Sequence, residues 1–110
     1  MIHLGCEDLE TIRRILKSHV SEYDVWLFGS RAHGRALKPY SDIDLAVITN
    51  KPMNASRYVD LQEAFSESEL RFKVDIVDWS AASESFREVI RECHLLLQEG
   101  EKQSAQDEGE

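Results

Sequence analysis

The sequence predicts a single small α/β domain, and three observations carry that reading. Its 110 residues, 42% of them hydrophobic, suffice for one modest core, and no large second domain fits within this length. Apolar residues recur at helical spacing over about residues 7–20, 55–67 and 83–97. Between them lie three short apolar runs at strand spacing, "DVWLF", "DIDLAVIT" and "RFKVDIVDW". Residues 1–100 are read as the domain and 101–110, with no apolar residue larger than alanine, as an acidic disordered tail.

In the first helix Leu9, Ile12, Ile15, Leu16 and Val20 form the apolar stripe and charged residues fill the opposite face, so it supplies packing. "DVWLF" is apolar at successive positions, which suits a strand covered on both faces, and Gly29 ends it. "DIDLAVIT" alternates: Ile43, Leu45 and Val47 share one face, and Asp42 and Asp44 share the other with Ala46 and Ile48. Asn54 or Ser56 can cap the second helix, expected to bury Val59, Leu61, Ala64 and Phe65. In the third strand Phe72, Val74 and Ile76 oppose Lys73, Asp75 and Val77. The last helix, starting at Ser83 or Ser85, carries Phe86, Val89, Ile90, Cys93 and Leu97, with Leu95 and Leu96 widening the stripe. That width suits either deep packing or a protein-binding face.

Composition narrows the partners. With 21 acidic and 13 basic residues the formal net charge is −8, which repels phosphate backbones and disfavours direct nucleic-acid binding. A metal ion or a basic protein surface is the easier match. Cys6 and Cys93 have no metal-ligand or CxxC spacing and read as small buried thiols in a reducing compartment. No signal pattern opens the chain, and its apolar runs fall far short of the ~20 residues that span a bilayer, so a soluble cytoplasmic protein without membrane contact is expected.

The chemistry concentrates in residues 26–47, "WLFGSRAHGRALKPYSDIDLAV". Carboxylates at i and i+2 on a strand lie ~6 to 7 Å apart along its axis, so Asp42 and Asp44 can reach one divalent cation or bridge two. A D-x-D alone is weak evidence, because exposed aspartates often alternate along a strand. Asp75, opposite Val74 and Ile76 on another apolar strand, can complete the cluster; Asp78 competes, but its period places it with Val74 and Ile76. Three crowded carboxylates repel, and Mg²⁺ reverses that balance. Gly29 permits close backbone approach, Ser30 offers a hydroxyl and an N–H, and the residues after it can start a short helix whose amides face an anion.

Gly29-Ser30, then Asp42-Ile43-Asp44, then Asp75 on a later strand resembles the active-site signature of the polymerase-β-type nucleotidyltransferases. More narrowly, "FGSRAHG", "YSDIDLAV", "EAFSESEL", "VDIVDW" and "SFREVIREC" resemble the minimal nucleotidyltransferases paired with HEPN-domain toxins, over about residues 7–100. The eleven residues between Ser30 and Asp42 are one more than that pattern has, an addition the loop around Pro39 can absorb.

The resemblance implies a polymerase-β-like nucleotidyltransferase fold, a small mixed β-sheet with helices packed on one face. It implies that Gly29, Ser30 and Arg31 bind a nucleoside triphosphate, with ATP as substrate. Asp42, Asp44 and Asp75 would be both the catalytic residues and the ligands of two Mg²⁺ ions. The implied reaction attaches AMP to a tyrosine of a cognate HEPN ribonuclease toxin in a hetero-oligomer, making the chain an enzyme and an antitoxin. Two alternatives stay open: neutralisation of the HEPN partner by binding alone, and nucleotidyl transfer to a small molecule or an RNA end. His33 reads as a solvent-facing loop residue, His3, His19 and His94 as surface or boundary residues, and Trp26 and Trp79 as core.

Overall fold

The computed structural model describes residues 4–33 and 42–101. In chain order these form α1 (Cys6–Val20), β1 (Asp24–Phe28), α2 (Ser30–His33), β2 (Ile43–Ile48), α3 (Ala55–Ser66), β3 (Val74–Asp78), a 3-10 turn (Trp79–Ala81), α4 (Glu84–Glu92) and β4 (His94–Gln98). The four strands make one mixed sheet in the order β3-β2-β1-β4. β2 runs parallel to β3, and β1 is antiparallel to both its neighbours. Residues 102–110 of the expected acidic tail, the loop around Arg35, Lys38 and Pro39, and His3 lie outside the described residues, as do the side chains of Ser30 and His33.

Strand alternation sorts the core into two layers. Val25, Leu27, Ile43, Leu45, Val47, Val74, Ile76 and Leu97 face α1 and α3, and with Ile12, Ile15, Leu16, Leu61 and Phe65 they form the main core. α1 carries Glu7 and Asp8 in its first turn and Lys17 and His19 in its last, matching its dipole. α3 is capped by Asn54, whose Oδ1 accepts from the amides of Ser56 at 2.8 Å and Arg57 at 3.4 Å. Arg57 in turn donates to both carboxylate oxygens of Glu22 and to the carbonyl of His19, tying α3 to the end of α1.

On the opposite face of the sheet, Phe28 and Ala46 pack with Ile90 of α4, joined by Trp26, Ile48, Val77 and Trp79. The arrangement of helices on one face therefore describes α1 and α3, while α4 lies against the other side. Trp26 and Trp79 meet edge to face at 5.2 Å and are partly buried, in keeping with their reading as core residues.

Three local expectations are corrected. The last helix stops at Glu92, because Cys93 is extended (φ −150°, ψ 102°), and residues 94–98 form an edge strand paired with β1. Leucine is a strong helix former and the apolar positions happened to fit a helical stripe, but β1 had a second edge to satisfy and tertiary pairing decided the outcome. Val59 is 49% exposed: it lies two residues, about 200° around the helix, from Leu61, whereas Leu61 and Phe65 are stacked at i and i+4. Cys6 is exposed at the start of α1, and Cys93 is partly buried. Among the described residues, no helix is long and apolar enough to cross a membrane.

Candidate active site

Strand register assembles the site at one end of the sheet. Asp44 of β2 is the direct partner of Asp75 on β3 and of Phe28 on β1. Residues paired across a sheet point to the same face, so the two carboxyl groups stand side by side at about the 4.8 Å spacing of neighbouring strands. Asp42, two residues earlier in the chain, is exposed just ahead of β2. β1 runs antiparallel to β2, so its C-terminal end delivers Gly29 to the same rim.

Gly29 is bound to this position by two constraints. Its φ is +78°, in the left-handed region that side chains disfavour, and a Cβ on it would drive into the Asp44 carboxylate, 3.2 Å from its Cγ and nearer still to Oδ2. The backbone of the Gly-Ser corner thus lies directly against Asp44. α2 begins at Ser30, and the amide of Ala32 donates to the carbonyl of Gly29 at 2.9 Å, closing the corner.

Electrostatically the site is loaded with negative charge. Partial burial, then the charge of Asp75, then that of Asp42 push the Asp44 carboxyl up to about 6 from its ordinary 3.8. Lys73, on the same face of β3 as Asp75, places its Nζ 3.7 Å from Oδ1 of Asp75, with the lysine side chain 73% exposed. Arg31, in α2 directly after the corner, is buried, its guanidinium 4.3 Å from the centre of the Phe72 ring. Lys73 and Phe72 were not singled out from the sequence; the period-two pattern "FKVD" already places Lys73 with Asp75, and that was the available signal.

Asp78 takes no part in this cluster. It accepts from the Thr49 hydroxyl, from the Met53 amide at 2.7 Å and from both the amide and the hydroxyl of Ser80. Burial alone would raise its pKa, but these donors together hold it below the ordinary carboxylate value. It latches the exit of β2 to the exit of β3, about 10 Å along the strand from Asp75. His94 also has a packing role: its ring stacks on Trp26 at 4.0 Å, and its Nδ1 lies 3.1 Å from the carbonyl of Ile90.

A divalent cation suits the Asp44–Asp75 pair, since it would relieve the repulsion that raises Asp44. Among the described residues no three His, Cys, Asp or Glu side chains converge as they stand into a metal-holding set; for the expected set of three carboxylates the exposed Asp42 would have to turn toward the pair. Beside Asp75 a cleft of about 360 Å³ opens between the start of β3 and the end of α3.

Comparison with known proteins agrees with this fold. Residues 10–102 match the family described as "Polymerase beta, Nucleotidyltransferase". The chain is 48% identical over 101 residues to the probable protein adenylyltransferase MntA of Haemophilus influenzae, covering 92% of this chain and 88% of that protein. A chain in the crystal structure of a toxin-antitoxin with AMP-PNP aligns with a TM-score of 0.69 at 25% identity, over 91% of this chain and 77% of that one. A chain from the complex of a tri-AMPylated Shewanella oneidensis HEPN toxin with its MNT antitoxin shares the fold, with a TM-score of 0.63 at 24% identity over 92% and 74% of the two chains.

Proposed function

We propose that this chain, which belongs to the polymerase beta nucleotidyltransferase family, transfers AMP from ATP to a tyrosine hydroxyl of a HEPN-domain toxin and thereby acts as its antitoxin. The observation that carries the reading is the Asp44–Asp75 pair, held side by side by strand register where the Gly29 backbone turns against Asp44. The name of the H. influenzae relative and the ATP analogue in the similar toxin-antitoxin structure support ATP as the donor.

In this reading the corner of Gly29 and Ser30 receives the β- and γ-phosphates, with Arg31 supplying positive charge from behind. Two Mg²⁺ ions, held by Asp42, Asp44 and Asp75, would supply charge stabilisation for the entering and leaving oxygens. The acceptor oxygen attacks the α-phosphorus, the bond from that phosphorus to the bridging oxygen breaks, and pyrophosphate departs toward Gly29. Asp75 helps to take the hydroxyl proton. Aligning acceptor and donor across the pair is the main task of the protein.

The test is incubation of the purified chain with Mg²⁺, the HEPN protein and ATP labelled at either the α- or the γ-phosphate. Label from the α-position on the HEPN protein, with none from the γ-position, is expected; no labelled protein with either ATP contradicts the proposal. A second reading, neutralisation by contact alone, is favoured by the exposed Phe86, Val89 and Leu96. Cells protected from the toxin by a triple asparagine variant at Asp42, Asp44 and Asp75 would support it.

A further inference from the structure

We infer that the cleft along the start of β3 is the docking groove for the polypeptide segment that carries the acceptor hydroxyl, an inference that rests on the proposed transfer reaction. In-line displacement at phosphorus puts the attacking and leaving oxygens on opposite sides of the reacting atom. Across the end of the sheet, the order β3-β2-β1 lines up Asp75, then Asp44, then the Gly29 corner. With pyrophosphate leaving on the Gly29 side, the attacking hydroxyl must arrive over Asp75. Among the described residues no strand lies beyond Asp75, because β3 is an edge of the sheet.

Along that edge, bordered by Asp75 and opening toward α3, runs the 360 Å³ cleft. Its floor is the buried pair Phe65 and Val74, its walls include Leu70 and Phe72, and Arg71 and Lys73 stand at its rim. Phe72 is also the ring under the Arg31 guanidinium, which ties the groove to the short helix that begins at the Gly29-Ser30 corner. The floor lies on the α1/α3 face and the Asp75 carboxyl on the other, so an extended segment along the free edge of β3 would set one side chain on Phe65 and turn its neighbour's hydroxyl toward Asp75, without a second domain.

The groove also limits its occupant. Tyr58 Oη donates to the carbonyl of Ile76 at 3.2 Å and closes the strand edge there, whereas the Val74 carbonyl holds only a 3.4 Å contact from Gln62. A segment can thus run beside Val74 and Asp75 for a few residues and no further. Two cations at the rim, in a chain of net charge −8, select a segment with acidic side chains flanking an apolar or aromatic one that reaches Phe65. Lys73 is loosely held by Asp75 at 3.7 Å and is available to such a carboxylate.

The experiment compares Arg71→Glu, which reverses a rim charge, and Ser66→Trp, which fills the groove from the exposed last residue of α3, with the wild-type chain. Initial rates of AMP transfer are measured while the HEPN protein and ATP are varied separately, with thermal melts confirming that both variants are folded. The expected result is a rise of about ten-fold or more in KM for the HEPN protein with KM for ATP nearly unchanged. Unchanged acceptor KM in both folded variants overturns the groove while leaving the reaction intact. A rise confined to KM for ATP overturns it as well, since the cleft would then hold the donor nucleoside. Absence of transfer by the wild-type chain overturns the reaction itself and the groove with it.

Discussion

Replacing Asp44 by asparagine should stabilise the metal-free chain at neutral pH while removing its activity. Asparagine keeps the shape of the side chain and deletes a charge that is half-buried beside Asp75 and Asp42. The rise from 3.8 to about 6 corresponds to roughly 3 kcal/mol at full strength, because each pKa unit is worth about 1.4 kcal/mol. Solvent screening of a half-exposed group reduces this to on the order of 1 to 1.5 kcal/mol. The folded state binds the Asp44 proton more tightly than the unfolded chain does. The penalty is therefore absent below the unfolded value of 3.8, grows as pH rises, and is complete above about 6. In EDTA at pH 7.5 the variant should melt several degrees above the wild type, on the scale of about 4 to 8 °C per kcal/mol for a domain of this size. At pH 4 the difference should shrink to a small fraction of that gain, and Mg²⁺ should raise the melting temperature of the wild type much more than that of the variant. A variant less stable than the wild type at pH 7.5, or a gain equal at both pH values, would refute the electrostatic reasoning.

Further outcomes follow from other contacts. Gly29→Ala meets both an unfavourable φ and the Asp44 carboxylate, so it should lose stability by roughly 1 to 3 kcal/mol in urea titration and lose affinity for an ATP analogue in calorimetry. Asp78→Ala strands the buried Thr49 hydroxyl and the Met53 amide; it should lower stability by about 1 to 3 kcal/mol while its folded fraction keeps AMP transfer, as a melt and a rate measurement at low temperature would show. Asn54→Ala removes the cap of α3 and should lower stability by about 1 kcal/mol without altering KM for ATP.

How much of this was legible beforehand depended on whether local pattern or tertiary pairing set the outcome. β1 over "DVWLF", β2 with its two-faced aspartates and α1 were readable because a strict period of 2 or 3.6 has one solution when one face is buried. The same alternation placed Asp75 beside Asp44 and set Asp78 apart, although the four-donor latch on Asp78 could be seen only once Thr49, Met53 and Ser80 had been brought together. β4 was not legible: three consecutive leucines fit a helix or a strand, and the deciding partner, β1, is some 70 residues away in sequence. Nor was the stacking of Arg31 on Phe72, which joins two segments separated by β2 and α3. The cleft likewise arises only where the end of α3 folds over the start of β3.

Intact-mass spectrometry of the HEPN protein, after reaction with Mg²⁺ and ATP, tests the central claim most directly when the wild-type chain is run beside folded Asp44→Asn and Asp75→Asn variants. The account predicts a gain of one or more AMP groups on a tyrosine with the wild type, and rates lower by about a thousand-fold or more with either variant. An unmodified HEPN protein with the wild type, or modification undiminished by either substitution, would contradict it.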